Sequence, residues 1–359
     1  MKPERFARAL DLLRDAVASR AFPGCSLAVM HRGEAVASTG LGRFTYEPQS
    51  PEVAADTIFD VASLTKIAAT TAMAMILYER GMLDLDLPVE SVVRDFVAVD
   101  PRRQDVTLRT LLAHTSGLPG YVRLFEQART RDELVLAACR TPLEAASGER
   151  TEYSDIGFII LGEALARLAD EALDSFCRRE IFGPLGMAST GFNPPPAQRP
   201  FIPPTEDDRS FRQRVIQGEV HDENAAVMGG VAGHAGLFSS APDLASFAHA
   251  ILGGLSRPST RTIFLPETLR TFARPQAARS GNPRALGFDR PTAPSQSGLH
   301  FSPGSLGHLG FTGTSLWLDP ERELAIVLLT NRTWPDRSSQ AIKRVRPRVH
   351  DAIVEALNW

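Results

Sequence analysis

Two residues of the sequence, Ser63 and Lys66, have the types and the spacing for nucleophilic catalysis. A serine hydroxyl is a weak nucleophile until a base takes its proton, and a lysine amine can do so if it is kept neutral. If a helix begins at about Ser63, a residue three positions later lies on the same face, one turn away. The free N–H groups of the first turn would also face developing negative charge, as half of an oxyanion hole. The pair therefore predicts covalent catalysis at a serine.

The lysine at position 66 is notable because this chain almost always uses arginine for positive charge. Only Lys2, Lys66 and Lys343 are lysines, against 36 arginines. Arginine cannot act as the base, since its guanidinium does not lose a proton in proteins. The alternative is a chance match, with Ser63 as a helix cap and Lys66 as a surface charge, because short motifs often occur without function.

The apolar pattern around this pair predicts strands near both ends of the chain and helices between them. The predicted strands cover residues 26–30, 34–39, 57–61, 314–318 and 324–330. Amphipathic helices are predicted over 4–20 and 342–357, and Pro347 should kink or delay the second. This pattern predicts an α+β fold, in which an antiparallel β-sheet is flanked by N- and C-terminal helices and a mainly helical lobe is inserted.

The length of 359 residues exceeds that of a typical single core and predicts two lobes. We assign residues 1–75 and 281–359 to a sheet lobe, and residues 76–280 to a helical lobe with long loops. The active site is expected between them, within a single domain overall.

Four segments resemble motifs of one enzyme family and occur in the expected order. They are Phe59–Lys66 around the nucleophile, the turn Leu111–Leu118, the Y-x-N-like Glu152–Asp155 and the K/H-T-G-like Gly307–Gly310. Jointly they resemble the serine β-lactamase-like superfamily, in the branch that holds class C β-lactamases, D-alanyl-D-alanine carboxypeptidases and family VIII esterases. The resemblance covers nearly the whole chain and implies a β-lactamase/transpeptidase-like fold.

The resemblance implies a role for each matching catalytic position. Ser63 would be acylated by an ester, amide or β-lactam carbonyl, and Lys66 would share the proton with Tyr153. Tyr153 resembles the family's general base and leaving-group acid, and the backbone N–H groups of Ser63 and Phe311 resemble its oxyanion-hole pair. A free tyrosine has a pKa of about 10, so Tyr153 needs two nearby positive or donor groups, and Lys66 can be one of them.

The positions implied to bind substrate are Asp155, His308 and Gly310, and two of them depart from the family's pattern. Asp155 replaces asparagine, and its charge could pair with Lys66, favour the protonated amine and shift the base role towards Tyr153. His308 replaces the commoner lysine, and Leu309 replaces the threonine beside it. Because histidine is charged only part of the time near neutral pH, recognition of a substrate carboxylate should be weaker and pH-dependent.

Other classes of function find little support in the sequence. A net charge of −3 gives no reason to expect a nucleic-acid partner, and three widely spaced cysteines suit free thiols better than a zinc site. We expect no metal or cofactor, and we interpret His221 as a possible supporting residue behind the site. No stretch approaches the roughly 18 apolar residues of a membrane span. Without a signal-peptide pattern the expected location is cytoplasmic, or periplasmic if a leader was trimmed.

Two hypotheses follow from these observations. The first is a serine hydrolase that acts through an acyl-enzyme on a small ester, a D-amino-acid peptide or a β-lactam. The changes at positions 308 and 309 favour an esterase or peptidase over an efficient β-lactamase. The second is a penicillin-binding receptor or a catalytically silent binding protein with the same fold. The sequence does not indicate an oligomeric state.

Overall fold

The computed structural model of the chain describes residues 3–96, 100–256 and 262–358. Within these ranges the α-helices are α1 (Ala7–Ala18), α2 (Ala72–Glu79), α3 (Val89–Val92), α4 (Leu108–Leu112), α5 (Arg131–Arg140), α6 (Asp155–Ala169), α7 (Leu173–Cys177), α8 (Glu223–Val227), α9 (Ala241–Ser256), α10 (Pro266–Ala273) and α11 (Ile342–Ala356). The strands are β1 (Gly24–His31), β2 (Glu34–Gly42), β3 (Phe59–Asp60), β4 (Gly191–Phe192), β5 (Glu206–Asp208), β6 (Arg214–Ile216), β7 (Leu237–Ser239), β8 (Leu306–Leu309), β9 (Ser315–Asp319) and β10 (Leu324–Thr330).

A five-stranded antiparallel sheet forms from the two ends of the chain. Its order is β2-β1-β10-β9-β8, so the first two strands join the last three. The junction is the pairing of β1 with β10, where Leu27 lies opposite Leu328. Successive side chains of a strand point to opposite faces, and every residue of β10 is buried, so both faces of the sheet are covered. The predicted α+β fold is confirmed, although several strands extend beyond their predicted bounds.

The two terminal helices cover one face of this sheet. Leu13 of α1 and Ile353 of α11 belong to one apolar cluster with Leu27 and Ile326 of the sheet. Transfer of such side chains from water stabilises the fold by about 1.5–3 kcal/mol each. The predicted flanking of the sheet by N- and C-terminal helices is therefore confirmed.

Helix α11 continues through Pro347 instead of being delayed by it. A proline lacks the N–H group that would bond to the carbonyl oxygen four residues earlier, here that of Lys343. The side-chain amide of Gln296 donates to this oxygen at 3.2 Å instead. A loop side chain thus replaces the missing helical hydrogen bond.

The second face of the sheet packs on the helices from the middle of the chain. Ala28 and Val327 share an apolar cluster with Phe247 of α9, and the same cluster continues without a break through Met75 and Ile76 of α2. The inserted helical part is thus present, whereas the lobe boundaries at residues 75 and 280 stay a prediction. Among the described residues, no helix is both long enough and apolar enough to span a membrane.

Candidate active site

Ser63 lies in a tight turn that leads out of β3. This strand belongs to a small second sheet of order β3-β7-β4. In the turn Ala62 has a φ of +47°, which is unfavourable for a residue with a Cβ atom, so the surroundings must hold it there. The buried carboxylate of Asp60 does so, since it accepts the N–H of Ala62 at 2.8 Å and the N–H of His221 at 2.6 Å.

Two threonine hydroxyls tie this turn to the loop between β8 and β9. Thr312 donates to the carbonyl oxygen of Asp60 at 2.8 Å, and Thr314 donates to that of Val61 at 3.0 Å. Gly310 lies at the same contact, where a Cβ atom would come within 2.5 Å of the Val61 carbonyl oxygen. The glycine therefore allows the end of β8 to approach the nucleophile turn. Its binding of substrate stays a prediction.

The amine of Lys66 lies on one side of the Ser63 hydroxyl. Its Nζ donates to Ser63 Oγ at 3.0 Å, to Asp155 Oδ1 at 2.6 Å and to the carbonyl oxygen of His234 at 3.0 Å. The side chain is 0% exposed, which excludes the alternative of a surface charge. A 3-10 turn, Ala62–Leu64, and a π-helical segment, Lys66–Thr71, replace the regular helix that was predicted to begin at Ser63.

The hydroxyl of Tyr153 also reaches the Ser63 hydroxyl. It donates to Ser63 Oγ at 2.8 Å. Tyr153 stands just before α6, whose N-terminus is capped by the side chain of Ser154. His114, from the turn at 111–118, supports this arrangement, because its Nδ1 accepts the Ser154 N–H at 2.9 Å and its ring packs 4.8 Å from that of Tyr153. The structure thus brings together the three predicted catalytic side chains.

Burial shifts the pKa values of both groups beside Ser63. Desolvation lowers the pKa of Lys66, and the Asp155 carboxylate only partly offsets this. Desolvation, followed by the charge of Asp155, raises the pKa of Tyr153 well above its usual value. Burial therefore keeps Tyr153 a neutral phenol, which can donate a proton, and makes the neutral amine of Lys66, which can accept one, easier to reach. The predicted pairing of Asp155 with Lys66 is present, whereas the shift of the base role towards Tyr153 stays a prediction.

Phe311 lies beside the nucleophile with its side chain half exposed. Its carbonyl oxygen accepts a hydrogen bond from Arg332 Nε at 2.8 Å. The ring of His221 packs against it at 5.6 Å, and His221 Nε2 donates to Glu206 at 2.9 Å. His221 thus lies behind the Phe311 loop, as expected for a supporting residue. The oxyanion role of the Phe311 and Ser63 N–H groups stays a prediction.

Two cavities meet at the catalytic residues. The α11 cavity has a volume of about 480 Å³, and its lining includes two carboxylates, Asp155 and Asp289, and four basic residues, Arg284, Arg332, Lys343 and Arg346. The aromatic cavity has a volume of about 570 Å³ and includes the rings of Tyr121, Phe125 and Phe311. Ser63, Tyr153 and Asp155 line both. A substrate that reacts at Ser63 can therefore extend to both sides.

A family model described as Beta-lactamase matches residues 10–349. The chain belongs to the beta-lactamase family. An N-acetylmuramyl-L-alanine amidase of Bacillus subtilis (strain 168) is 32% identical, over 90% of this chain and 80% of its own length. A putative D-alanyl-D-alanine carboxypeptidase of Salmonella agona (strain SL483) is also 32% identical, over 82% of this chain and 73% of its own. The solved structure of EstCE1, a hydrolase with promiscuous acyltransferase activity, superposes with a TM-score of 0.78 at 20% identity over 98% of both chains, which shows a shared fold.

The charge of His308 in this beta-lactamase family member differs from the partial charge that the sequence predicted. The side chain is buried, and its Nδ1–H donates to the carbonyl oxygen of Leu309 at 2.8 Å. Desolvation, with the charges of Lys66 and Arg284, lowers the pKa of His308 well below its usual value. The imidazole is therefore neutral near pH 7, and the expectation of partial charge is wrong. Any carboxylate in this cavity must find its positive partner elsewhere.

The site of this beta-lactamase family member also contains residues that were not predicted from the sequence to belong to it. They are Asp60 in the nucleophile turn and the cavity-lining residues Arg284, Arg332, Lys343 and Arg346. The position of Asp60 inside the Phe59–Lys66 motif was a weak indication of its role. Arg284 and Arg332 had no such indication, because arginine is so common in this chain, and the basic run at 343–348 is interpreted more simply from sequence as a solvated helix face. Within the described ranges, no three His, Cys, Asp or Glu residues form a group that could hold a metal ion.

Proposed function

We propose that this protein is a serine hydrolase that forms an acyl-enzyme at Ser63. The observation that supports this most is the position of Ser63 Oγ, which lies 3.0 Å from Lys66 Nζ and 2.8 Å from the Tyr153 hydroxyl. A nucleophile, a proton acceptor and a proton donor within hydrogen-bond reach form the minimal set for acyl transfer. A binding protein without turnover has no need to bury all three together.

In the proposed reaction Lys66, in its neutral form, takes the proton of Ser63 as Oγ bonds to the substrate carbonyl carbon. The carbonyl oxygen becomes an oxyanion, for which we propose the backbone N–H groups of Ser63 and Phe311 as donors. Tyr153 then gives its proton to the leaving oxygen or nitrogen as the bond to carbon breaks, and it recovers a proton from Lys66. Water then attacks the carbonyl carbon of the acyl-enzyme, and the same groups transfer the protons in reverse order as the bond to Ser63 Oγ breaks.

The basic residues of the α11 cavity support a substrate with a carboxylate. The two carboxylates that line this cavity, Asp155 and Asp289, pair with Lys66 and Arg284. Among the described residues, no ion pair is found for the other basic lining residues, Arg332, Lys343 and Arg346. Arg346 is only 3% exposed, and it donates to Gln296 Oε1 at 2.8 Å and to the Thr314 carbonyl oxygen at 3.3 Å. A buried charge is costly unless it is paired, so we propose that a substrate carboxylate completes this group.

An ester or a peptide-like amide is a better candidate substrate than a β-lactam. His308 is neutral, and Leu309 lacks the hydroxyl that the family's motif places beside the substrate. Two of the relatives bear the names amidase and carboxypeptidase, which fit an amide next to a carboxylate. We therefore propose an amino acid or short peptide as the part of the substrate in the α11 cavity.

Intact-mass spectrometry during turnover tests this proposal against the receptor alternative. The protein is incubated with p-nitrophenyl esters, N-acyl D- and L-amino acids and a fluorescent penicillin. We expect a transient acyl adduct on the peptide that contains Ser63, together with release of product from an ester or amide. A stable penicillin adduct without any turnover would support the receptor, and the absence of both adduct and ester cleavage would exclude the hydrolase.

Arg346→Gln is expected to weaken hydrolysis of carboxylate-bearing substrates selectively. The variant keeps a hydrogen-bonding side chain but removes the charge. Hydrogen bonds to charged groups contribute about 1.5–3 kcal/mol, so kcat/KM should fall by about 10- to 100-fold, mainly through KM. The measurement compares an N-acyl amino acid with its methyl ester, which should be almost unaffected.

Arg344→Gln is the matched control, because Arg344 lies exposed on the same helix outside the cavity. Lys343→Gln is a second test, at an exposed position where the substitution should not disturb folding. Equal losses for the acid and for its methyl ester in both Arg346→Gln and Lys343→Gln would contradict a carboxylate site.

A further inference from the structure

Tyr153 lacks one of the charge partners that its role requires. In the proposed reaction its oxygen carries negative charge after the proton has passed to the leaving group. Burial opposes this charge, and so does the neighbouring Asp155. Lys66 provides one cation once it has taken the proton of Ser63, and its Nζ lies 4.9 Å from the centre of the Tyr153 ring. The strand residue His308, where the family commonly has lysine, is neutral and provides none.

Arg284 brings a second cation to Tyr153 from a different part of the chain. Its guanidinium carbon lies 5.4 Å from the centre of the Tyr153 ring. The side chain is 14% exposed, so its charge acts on the ring with little screening by water. Its Nε and Nη2 atoms are buried and have no hydrogen-bond partner among the described residues. Arg284 also pairs with Asp289 through Nη1.

The segment that carries Arg284 is fixed to the rest of the site. The carbonyl oxygen of Arg284 accepts the N–H of Gln276 at 2.6 Å, and the N–H of Gly287 donates to the Leu112 carbonyl oxygen at 2.8 Å. At Gly287 a Cβ atom would lie 2.0 Å from Thr71 Oγ1, so this segment packs directly on the π-helical segment that begins at Lys66. The backbone that carries Arg284 is therefore held in place, and the guanidinium is held by its pairing with Asp289.

The charge of Arg284 acts in the direction that the reaction needs. It lowers the pKa of Tyr153, whereas Asp289 raises it with a smaller effect, although burial and Asp155 keep the resting group a neutral phenol. A cation held beside an oxygen that becomes charged stabilises the charged state without any reorganisation at the moment of reaction. The Arg284–Asp289 pair thus favours the phenolate without removing the proton in the resting enzyme.

We propose that Arg284 is a positioning residue that acts through Tyr153, where it takes the place of the strand lysine that this chain lacks. This inference rests on the proposed function. The Tyr153 O–H bond breaks as the leaving group takes the proton, and the carbon–heteroatom bond breaks with it. The phenolate then persists, with the Arg284 guanidinium carbon 5.4 Å from the ring centre, until Lys66 returns a proton. Arg284 itself neither gains nor loses a proton.

Arg284→Gln tests this proposal through its dependence on the leaving group. An amide or alkyl ester needs its leaving group protonated, whereas p-nitrophenolate leaves without a proton. We expect kcat for the amide or alkyl ester to fall by roughly 10- to 100-fold, the size of one charge interaction at this distance. The p-nitrophenyl ester should lose less than about threefold. Arg284→Lys should restore most of the loss, because it returns the charge.

Arg279→Gln is the matched control, since Arg279 is exposed in the same segment and lies outside both cavities. Equal losses with both leaving groups, or no rescue by Arg284→Lys, would overturn the proposal in favour of a structural role. A loss confined to KM for carboxylate substrates would overturn it in favour of direct substrate binding. Failure of the proposed function would give a different result from failure of this proposal, because the unchanged protein would then form no adduct at Ser63 with the alkyl ester or with the p-nitrophenyl ester.

Discussion

Ser63→Ala is expected to lower kcat/KM by about 10⁴-fold or more and to abolish the acyl adduct. The reason is that covalent catalysis ends with the loss of the Oγ atom, while binding in the two cavities and the oxyanion donors remain. Lys66 keeps its contacts with Asp155 and with the His234 carbonyl oxygen, so the buried charge stays paired. Thermal unfolding should therefore change little.

Ser210→Ala is the matched control for this experiment. Ser210 lines the aromatic cavity, and its hydroxyl bonds only to Asp208, at 3.2 Å, among the described residues. The two variants remove the same kind of atom from residues that both line the aromatic cavity, and only Ser63→Ala is expected to lose the adduct. Turnover by Ser63→Ala within tenfold of the unchanged protein, or an adduct on another residue, would refute Ser63 as the nucleophile.

The predictable part of the site is the part that is local in sequence or that carries a rare residue type. Ser63 and Lys66 are three positions apart, so any helical turn places them together, even the 3-10 and π-helical geometry observed here. Lys66 was conspicuous because lysine is rare in this chain. Tyr153 is 90 residues from Ser63 and was found through a family motif.

The charge states at the site could not be predicted from residue types. The sequence suggested that Asp155 would keep Lys66 protonated and that His308 would be partly charged. Both predictions omitted desolvation, which is the largest cause of the pKa shift of Lys66 and of His308. Burial depends on how the sheet, the helices and the loops close around the site, and no short motif encodes that.

The basic groups of the α11 cavity were unpredictable for a different reason. Arg284, Arg332 and Arg346 come from three separate segments and belong to a set of 36 arginines, so composition gives none of them a signal. What distinguishes them is that they line one cavity at the catalytic residues, which is a property of the folded chain. The fold was easier to predict, because its sheet is built from apolar strands with clear periodicity at both ends of the sequence.

Lys66→Arg is expected to lower the rate of acylation by about 10³-fold, because it fixes a permanent positive charge at the position of the base. Arginine can still pair with Asp155, but it cannot accept the proton of Ser63, because its guanidinium stays protonated. Since burial lowers the pKa of Lys66, the acylation rate of the unchanged protein should rise with pH and level off below the value of about 10.4 for a free lysine. The variant should lack this rise, because no group at position 66 titrates.

Stopped-flow measurement of p-nitrophenol release tests this prediction. The range from about pH 5 to about pH 10 covers the lowered pKa of a buried lysine. Lys66→Met is the second variant, because the side chain at position 66 is 0% exposed and methionine has nearly the shape of the lysine stem, whereas the guanidinium of arginine is larger. If both variants lose the pH-dependent rise, Lys66 is the base and its charge alone is not sufficient. Retention of acylation within tenfold in Lys66→Arg, with the same pH profile, would instead assign the proton of Ser63 to Tyr153.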